Sequence, residues 1–465
     1  MSAEPSNINN IASNDHWPDS WKVLSHGIRS GRYTDPAFAR LEFEKLWSRV
    51  WQAAARLDEI QNDGDYTTYD IADQSVMIVR VDASTIKAYY NFCPHRGTAL
   101  TGGGCGHFKN EKIICPFHGW RWDTAGNNEF VLEKPQFKDG KLTAKDVALK
   151  EIKSVVYAGF VWINFASDPQ PFEEFIAPVK YWLDELNIEN MRNYWWKAIP
   201  VRANWKVAQE AFFEGYHVPA THPQLEPLGA EVIFEGRPES SIEWAHVNVE
   251  TDAWANGHGR FYGKKSPMKG NVRVVDGDPV ESMANRLNLL ATGMDAQVLA
   301  EDVALVRSLK GKIPEGANVG AEWTKALYAT AAEQKRPMPK MTPDAIGMWG
   351  GEIFIFPNLL ILPMAGNAMM YRARPDGFDP DRCIFEIIST KSYPAAQKVP
   401  PAVVQTVTDF DDPKQVLPIP KQDLGNIPRM QIGLHQKGCK QIWLADGHEK
   451  MILNMHQQLD RYLRD

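Results

Sequence analysis

Apolar and polar positions recur with two different periods along the chain, and the change of period predicts its organisation. Between Phe43 and Leu57 the residues Phe43, Leu46, Trp47, Val50 and Trp51 keep helical spacing, and from Asp65 onward the pattern turns strand-like. Short runs rich in β-branched and aromatic residues (SVMIVRV, TIKAYYNF, KIICPF, VVYAGFVWINF) are separated by turn material such as TGGGCG and DTAGNN. This predicts a small all-β unit over residues 40–165, preceded by a polar tail and helix over 1–39. From Pro169, helical segments (Phe175 to Leu186, Trp205 to His217, Met283 to Leu309) alternate with strands (Glu352 to Leu362, Ala368 to Ala373, Ile384 to Ser389), and helical spacing from Met430 to Leu463 closes the chain. Residues 166–465 therefore read as an α+β unit.

With 465 residues, 44% of them hydrophobic, the chain can bury more than one core. A formal charge of -7 without a basic stripe excludes a phosphate backbone or an anionic membrane as partner. The polar start MSAEPSNINNIASNDHW lacks the basic and apolar regions of a signal peptide, and the longest apolar run, Ile353 to Gly366, is short and broken by Pro357 and Pro363. A cytoplasmic protein is expected. Five cysteines are too few and too scattered for a disulfide framework, which directs attention to metal binding.

Residues 93–95 read Cys-Pro-His and residues 115–118 read Cys-Pro-Phe-His, with 19 residues between the two motifs. Two thiolates and two imidazoles suit tetrahedral zinc or a Rieske [2Fe–2S] centre, in which cysteines hold one iron and histidines the other. Zinc fingers place a cysteine pair before a histidine pair. Here each half-site contributes one of each, so two hairpin loops can clamp a two-iron rhomb. With the flanks CPHRG and CPFHGW, the stretch from about Gly64 to Asp123 resembles the Rieske domain of ring-hydroxylating oxygenases, which implies Cys93, His95, Cys115 and His118 as cluster ligands. Respiratory Rieske proteins add a disulfide across these loops; Thr98 and Phe117 occupy the matching positions, so the resemblance is to the oxygenase and ferredoxin class. Cys105 and His107 read as turn residues.

The segment NWKVAQEAFFEGYHVPATH, residues 204–222, forms the second constellation. On a helix, Ala203, Val207, Glu210, Glu214 and His217 share one sector, opposite Trp205, Ala208 and Phe212. Pro219 is expected to break that helix and bring His222 round to meet His217. Two histidines and a carboxylate make the facial triad of non-haem Fe(II) oxygenases. The combination of N-W-K, E-x3-E-x-Y-H and T-H-P resembles the same family, and KQDLGNIPRMQIGL resembles its third-ligand motif. The resemblance thus implies Asp423, just ahead of a helix, as the carboxylate, with Asp411, Asp412 and Glu386 as alternatives. It implies for Glu214 the role of joining a mononuclear-iron histidine to a cluster histidine of a neighbouring subunit. Glu in place of the commoner Asp looks like the branch acting on choline, carnitine and betaine. Glu210 reads as a partner of a ligand histidine or as an acid paired with Lys206.

Extended over nearly the whole chain, the resemblance implies a β-sandwich-like Rieske domain and a helix-grip (START-like) catalytic domain with a curved antiparallel sheet. It implies a [2Fe-2S] cluster, a mononuclear Fe(II), O2 as co-substrate, and NAD(P)H electrons arriving through a separate reductase, with or without a ferredoxin. No nucleotide fingerprint is present for taking hydride directly. A homotrimer is implied, with or without a β subunit. The expected reaction is oxidation of an aromatic or other bulky apolar molecule, with MAGNAMMY, Phe212 and Phe213 as apolar material. A quaternary amine is the alternative, with Trp254, Tyr262 and Trp349 as cage candidates; a non-catalytic electron carrier is a third. The 200 residues between His222 and Asp423 exceed what the resemblance implies, and the extended portion around Asp276 to Met341 reads as a lid, an oligomer contact or a reductase dock.

Overall fold

Antiparallel ladders organise both halves of the computed structural model, which describes residues 17–215, 217–222, 224–225, 249–263, 277–341 and 352–464. In the first half, β1 (Gln52–Arg56), β2 (Asp65–Ile71), β3 (Gln74–Arg80), β4 (Ile86–Tyr90), β5 (Cys105–His107), β9 (Glu151–Tyr157) and β10 (Phe160–Asn164) form a seven-stranded sheet in the order β1-β10-β9-β4-β3-β2-β5. A second, three-stranded sheet joins β6 (Lys112–Ile114), β7 (Arg121–Asp123) and β8 (Asn128–Phe130).

The helix expected from Phe43 to Leu57 is displaced. Helix α1 spans Pro36–Glu42, with Pro36 in its first turn and the Asp35 side chain accepting from the Ala37 N–H, and one wide turn continues it to Trp47. Residues 52–56 are strand instead, because they pair with Phe160–Asn164. The run of alanines at 53–55 suits either period, and pairing decides.

The second half is built on an eight-stranded sheet. Its strands are β11 (Arg192–Val201), β12 (Val249–Ala253), β13 (Gly259–Gly263), β14 (Glu352–Ile355), β15 (Leu359–Pro363), β16 (Asn367–Pro375), β17 (Cys383–Lys391) and β18 (Val404–Thr406), in the order β12-β13-β14-β15-β16-β17-β11-β18. The α+β class expected from the pattern is therefore observed, although Glu352 to Leu362 forms two strands of a hairpin. Residues facing each other across a ladder share a face. One row runs Phe354, Leu360, Tyr371, Ile387. The Phe213 ring lies 4.2 Å from Phe354, and Phe212 lies 4.2 Å from Tyr371, so this face receives the segment after Trp205. The opposite face carries Arg372, which donates to the carbonyls of Ala53 and Ala54 in the first half and is paired with Glu386.

Helix α2 (Phe172–Glu185) leads into the second half. Met283 to Leu309 divides into α5 (Pro279–Gly293) and α6 (Ala300–Arg307), since Leu299 starts a new helix with its N–H held by Asp302; α7 (Val319–Glu333) follows. These helices pack into the body of the domain: Trp195 donates to the Asp295 carbonyl, and Gly293 lies against Ile419. The closing stretch is also two helices, α8 (Pro418–Leu434) and α9 (Lys450–Arg464), separated by the strand Gln441–Trp443, which pairs with Gly27–Arg29 near the start of the chain. Among the described residues, no helix is long and apolar enough to cross a membrane.

Candidate metal centres

Two loops of the first half have the same construction. In one, the Cys93 N–H donates to the Thr98 carbonyl and the Gly97 N–H to the Cys93 carbonyl; in the other, Cys115 bonds Trp120 and Gly119 bonds Cys115 in the same way. Gly97 and Gly119 sit at φ +78° and +70°, where a side chain would strain the backbone. Both loops turn a buried cysteine and a histidine toward one place. The His95 and His118 ring centroids are 4.7 Å apart, and His95 stacks on Trp120.

The donor chemistry there fits a cluster. His95 Nδ1 is shielded and, among the described residues, has no hydrogen-bond partner; burial lowers the imidazole pKa, with the charges of His118 and Arg96 adding to it. Burial pushes the Cys93 thiol up to about 11, whereas at Cys115 burial, the largest single influence, is outweighed by hydrogen bonds from the N–H groups of His118 and Phe117 together with the Cys93 and Thr98 side chains, which hold the thiol below its usual range. Arg96 reaches His118 Nε2 at 2.9 Å and lies over the Phe117 ring, which is 59% exposed. The other cysteines are elsewhere. Cys105 donates to Thr67, and its neighbour His107 pairs with Asp65; Cys383 is buried in β17, and Cys439 approaches the Gln441 carbonyl.

In the second half, the Asn204 side chain caps α3 (Trp205–Glu210), accepting from the Lys206 N–H. The helix ends at Glu210, well short of His217, and all of its residues are buried, so the two-faced helix expected from the spacing is not formed. Pro219 does not break it either. It falls in the first turn of a new short helix, α4 (Val218–Thr221), where a missing N–H costs nothing. The intervening turn is held by Glu214, whose Oε2 accepts the His217 N–H and whose Oε1 accepts from His217 Nδ1, each at 2.9 Å.

His217, His222 and Asp423 come together. Nε2 of His222 is 2.8 Å and Nε2 of His217 is 3.6 Å from Oδ1 of Asp423, and the three ligand atoms lie within 4.8 Å of one another. Asp423 lies inside α8, not ahead of it. Its neighbour Gln422 accepts from His222 Nδ1 at 2.8 Å, while Glu214 accepts from His217 Nδ1. Both imidazoles thus keep their Nε2 lone pairs for the site, an arrangement suited to a divalent cation. Burial alone would lower the His217 pKa, but hydrogen bonding and charge from Glu214, with the charge of Asp423, raise it.

Other expected residues have different partners. Glu386 is buried against Arg372, Asp411 pairs with Lys421, and Asp412 holds the turn at Lys414 and Gln415. Glu210 meets neither a ligand histidine nor Lys206 as its ion pair. It accepts from Tyr33 and His456, and Lys206 pairs with Glu42. The rings of Trp254 and Tyr262 already surround a cation, the Arg260 guanidinium, 5.8 and 3.8 Å from their centroids. Trp349 and Tyr216 lie outside the described residues. Two further residues carry no signal of their own in the sequence: Gln422, legible only as a neighbour of Asp423, and Glu352, a lone acid opening the apolar run EIFIF. Burial first, then the charges of Glu214 and Asp423, push the Glu352 carboxyl well above the usual range.

The family model for the ring hydroxylating alpha subunit (catalytic domain) matches residues 188–465, and the model for the Rieske [2Fe-2S] domain matches residues 50–144. The glycine betaine monooxygenase oxygenase subunit of Chromohalobacter salexigens is 30% identical over 200 residues, covering 43% of this chain and 44% of that protein. The chain thus spans about half the length of the curated relatives it matches. The crystal structure of the quaternary ammonium Rieske monooxygenase CntA in complex with L-carnitine superposes with a TM-score of 0.62 over 96% of this chain and 99% of that one, at 16% identity. A naphthalene 1,2-dioxygenase variant bound to phenanthrene gives 0.64 over 97% and 96%, at 15% identity. At such identities the structural likeness concerns the fold.

Proposed function

Because the chain belongs to the family of ring-hydroxylating oxygenase alpha subunits, we propose that it catalyses the O2-dependent oxidation of a small organic molecule with a bulky apolar body. The convergence of His217, His222 and Asp423 in a chain that also holds the paired cysteine–histidine loops carries this reading. Cys93, His95, Cys115 and His118 hold the Rieske cluster; His217, His222 and Asp423 hold the ferrous ion. When bound, the cluster supplies single electrons and the ferrous ion supplies open coordination positions for O2 and substrate. Electrons come from NAD(P)H through a separate reductase, with or without a ferredoxin.

The protein's own groups position the site. Gln422 and Glu214 orient the two imidazoles, and Phe213 and Phe354 form an apolar wall beside the loop that carries Glu214. Glu214 is the bridge to a cluster histidine of the neighbouring subunit in a homotrimer. The exposure of Phe117 beside His118 supports this, since it leaves the cluster loops open to a neighbour. The same exposure is compatible with assembly with or without a β subunit.

A quaternary amine is the second reading, favoured by the glycine betaine relative. An electron carrier would have no use for a converged triad. Iron analysis and turnover with a surrogate reductase test the proposal. About three irons per subunit and substrate-dependent O2 consumption are expected; a cluster without mononuclear iron, and no O2 consumption, would leave the carrier.

A further inference from the structure

Glu352 is an acid on an otherwise apolar wall. It stands opposite Phe261 in the β13–β14 ladder, and two residues on, Phe354 begins the row that continues through Leu360 and Tyr371. Alternation along a strand puts Glu352, Phe261 and Phe354 on one face. That face looks toward the iron site, because Phe354 packs on Phe213 and a side chain at Gly215 would touch the Phe261 ring at 3.0 Å. Glu352 is therefore beside the loop that carries Glu214 and His217.

Among the described residues no cation pairs with this acid. Its Oε2 is shielded from solvent and, among the described residues, accepts no hydrogen bond. Among the described residues it stands outside the set whose ligand atoms converge, which is His217, His222 and Asp423. Nor can the cation of the adjacent strand reach it: Arg260 precedes Phe261, points to the opposite face and is held by Asp252 and the rings of Trp182 and Tyr262. An acid whose shielded oxygen has no donor is costly to ionise, and a cation entering the pocket would offset that cost.

We propose, on the basis of the oxygenase reading above, that Glu352 is the counter-ion for a cationic group of the substrate, which is then an ammonium compound with an apolar body. Glu352 sets specificity: the carboxylate holds the cation against β14 while Phe261 and Phe354 pack on the apolar part. This differs from recognition by an aromatic cage, because the rings of Trp254 and Tyr262 are committed to Arg260.

Calorimetric titration of the metal-loaded protein tests this with ammonium compounds paired with neutral carbon isosteres: choline with its carba analogue, and benzyltrimethylammonium with neopentylbenzene. At least one ammonium member should bind about ten-fold or more tightly than its isostere. In Glu352→Gln that preference should collapse to within about two-fold, the isostere should bind as before, and Glu352→Asp should keep part of the preference. Iron content and cluster absorbance should not change in either variant. Equal binding in every pair, or a preference that survives in Glu352→Gln, overturns the proposal. Failure of the reduced protein to consume O2 would instead overturn the oxygenase reading, while the binding preference would still report on Glu352.

Discussion

Oδ1 of Asp423 stands 2.8 Å from Nε2 of His222, a contact between a residue of α8 and one just beyond α4. With His217 Nε2 close to the same oxygen, the three groups form a preorganised set, and removing one should empty it. His217→Ala, His222→Ala and Asp423→Ala are each expected to lose about one iron per subunit and all turnover while the reduced cluster keeps its EPR signal. Full iron content in Asp423→Ala would require another carboxylate ligand.

At the cluster, Cys93→Ser should bleach the protein, and His95→Cys should shift its spectrum, because imidazole ligands raise the potential relative to thiolates. Cys105→Ser, Cys383→Ser and Cys439→Ser are the controls. Absorbance spectra of the five variants decide the matter, and colour lost in any control would mean the ligand assignment is wrong.

Glu214 uses one oxygen on the His217 N–H and the other on its ring, so a change there disturbs positioning before it disturbs metal binding. Glu214→Gln should slow electron delivery about 10- to 100-fold, and Glu214→Ala further. The readout is cluster reoxidation after mixing pre-reduced enzyme with O2 and substrate. A wild-type rate in Glu214→Ala would make this residue a structural acid only.

The buried Arg372–Glu386 pair ties the catalytic sheet to β1 of the Rieske half. Removing the acid leaves a buried guanidinium uncompensated, so Glu386→Ala should cost about 3–5 kcal/mol in urea unfolding. The folded fraction should retain its iron, since Glu386 faces away from the triad.

His258 is buried with Nδ1 accepting the Phe356 N–H and Nε2 donating to the Phe175 carbonyl, and burial lowers its pKa to about 4. The unfolded chain binds that proton near pH 6.5. Stability from this group is therefore present above about pH 6.5 and is lost as the pH falls toward 4. In urea midpoints measured across that window, His258→Gln should show a shallower acid limb than the wild type; an identical slope would place the acid sensitivity elsewhere.

The chain's own pattern determined the features that depend on neighbours in sequence. Each cysteine–histidine loop is a local turn of a few residues, with a glycine where φ must be positive, so its spacing pointed to zinc or a two-iron centre and the resemblance implied the ligands. The histidine pair and Asp423 were likewise implied by the motifs around them. Fold class followed from alternation alone. Tertiary structure decided what depends on partners distant in the chain. Periodicity indicates that a residue has an apolar side, but not which strand claims it, so residues 52–56 became strand once β10 lay beside them. It also assigned Pro219 to the start of a helix and Glu210 to Tyr33 and His456 from remote segments. Glu352 is the clearest case. In sequence it is one acid before an apolar run, and only the ladder to Phe261 and the packing of Phe354 on Phe213 turn it toward the metal site, because a strand's faces acquire meaning only when something packs on them.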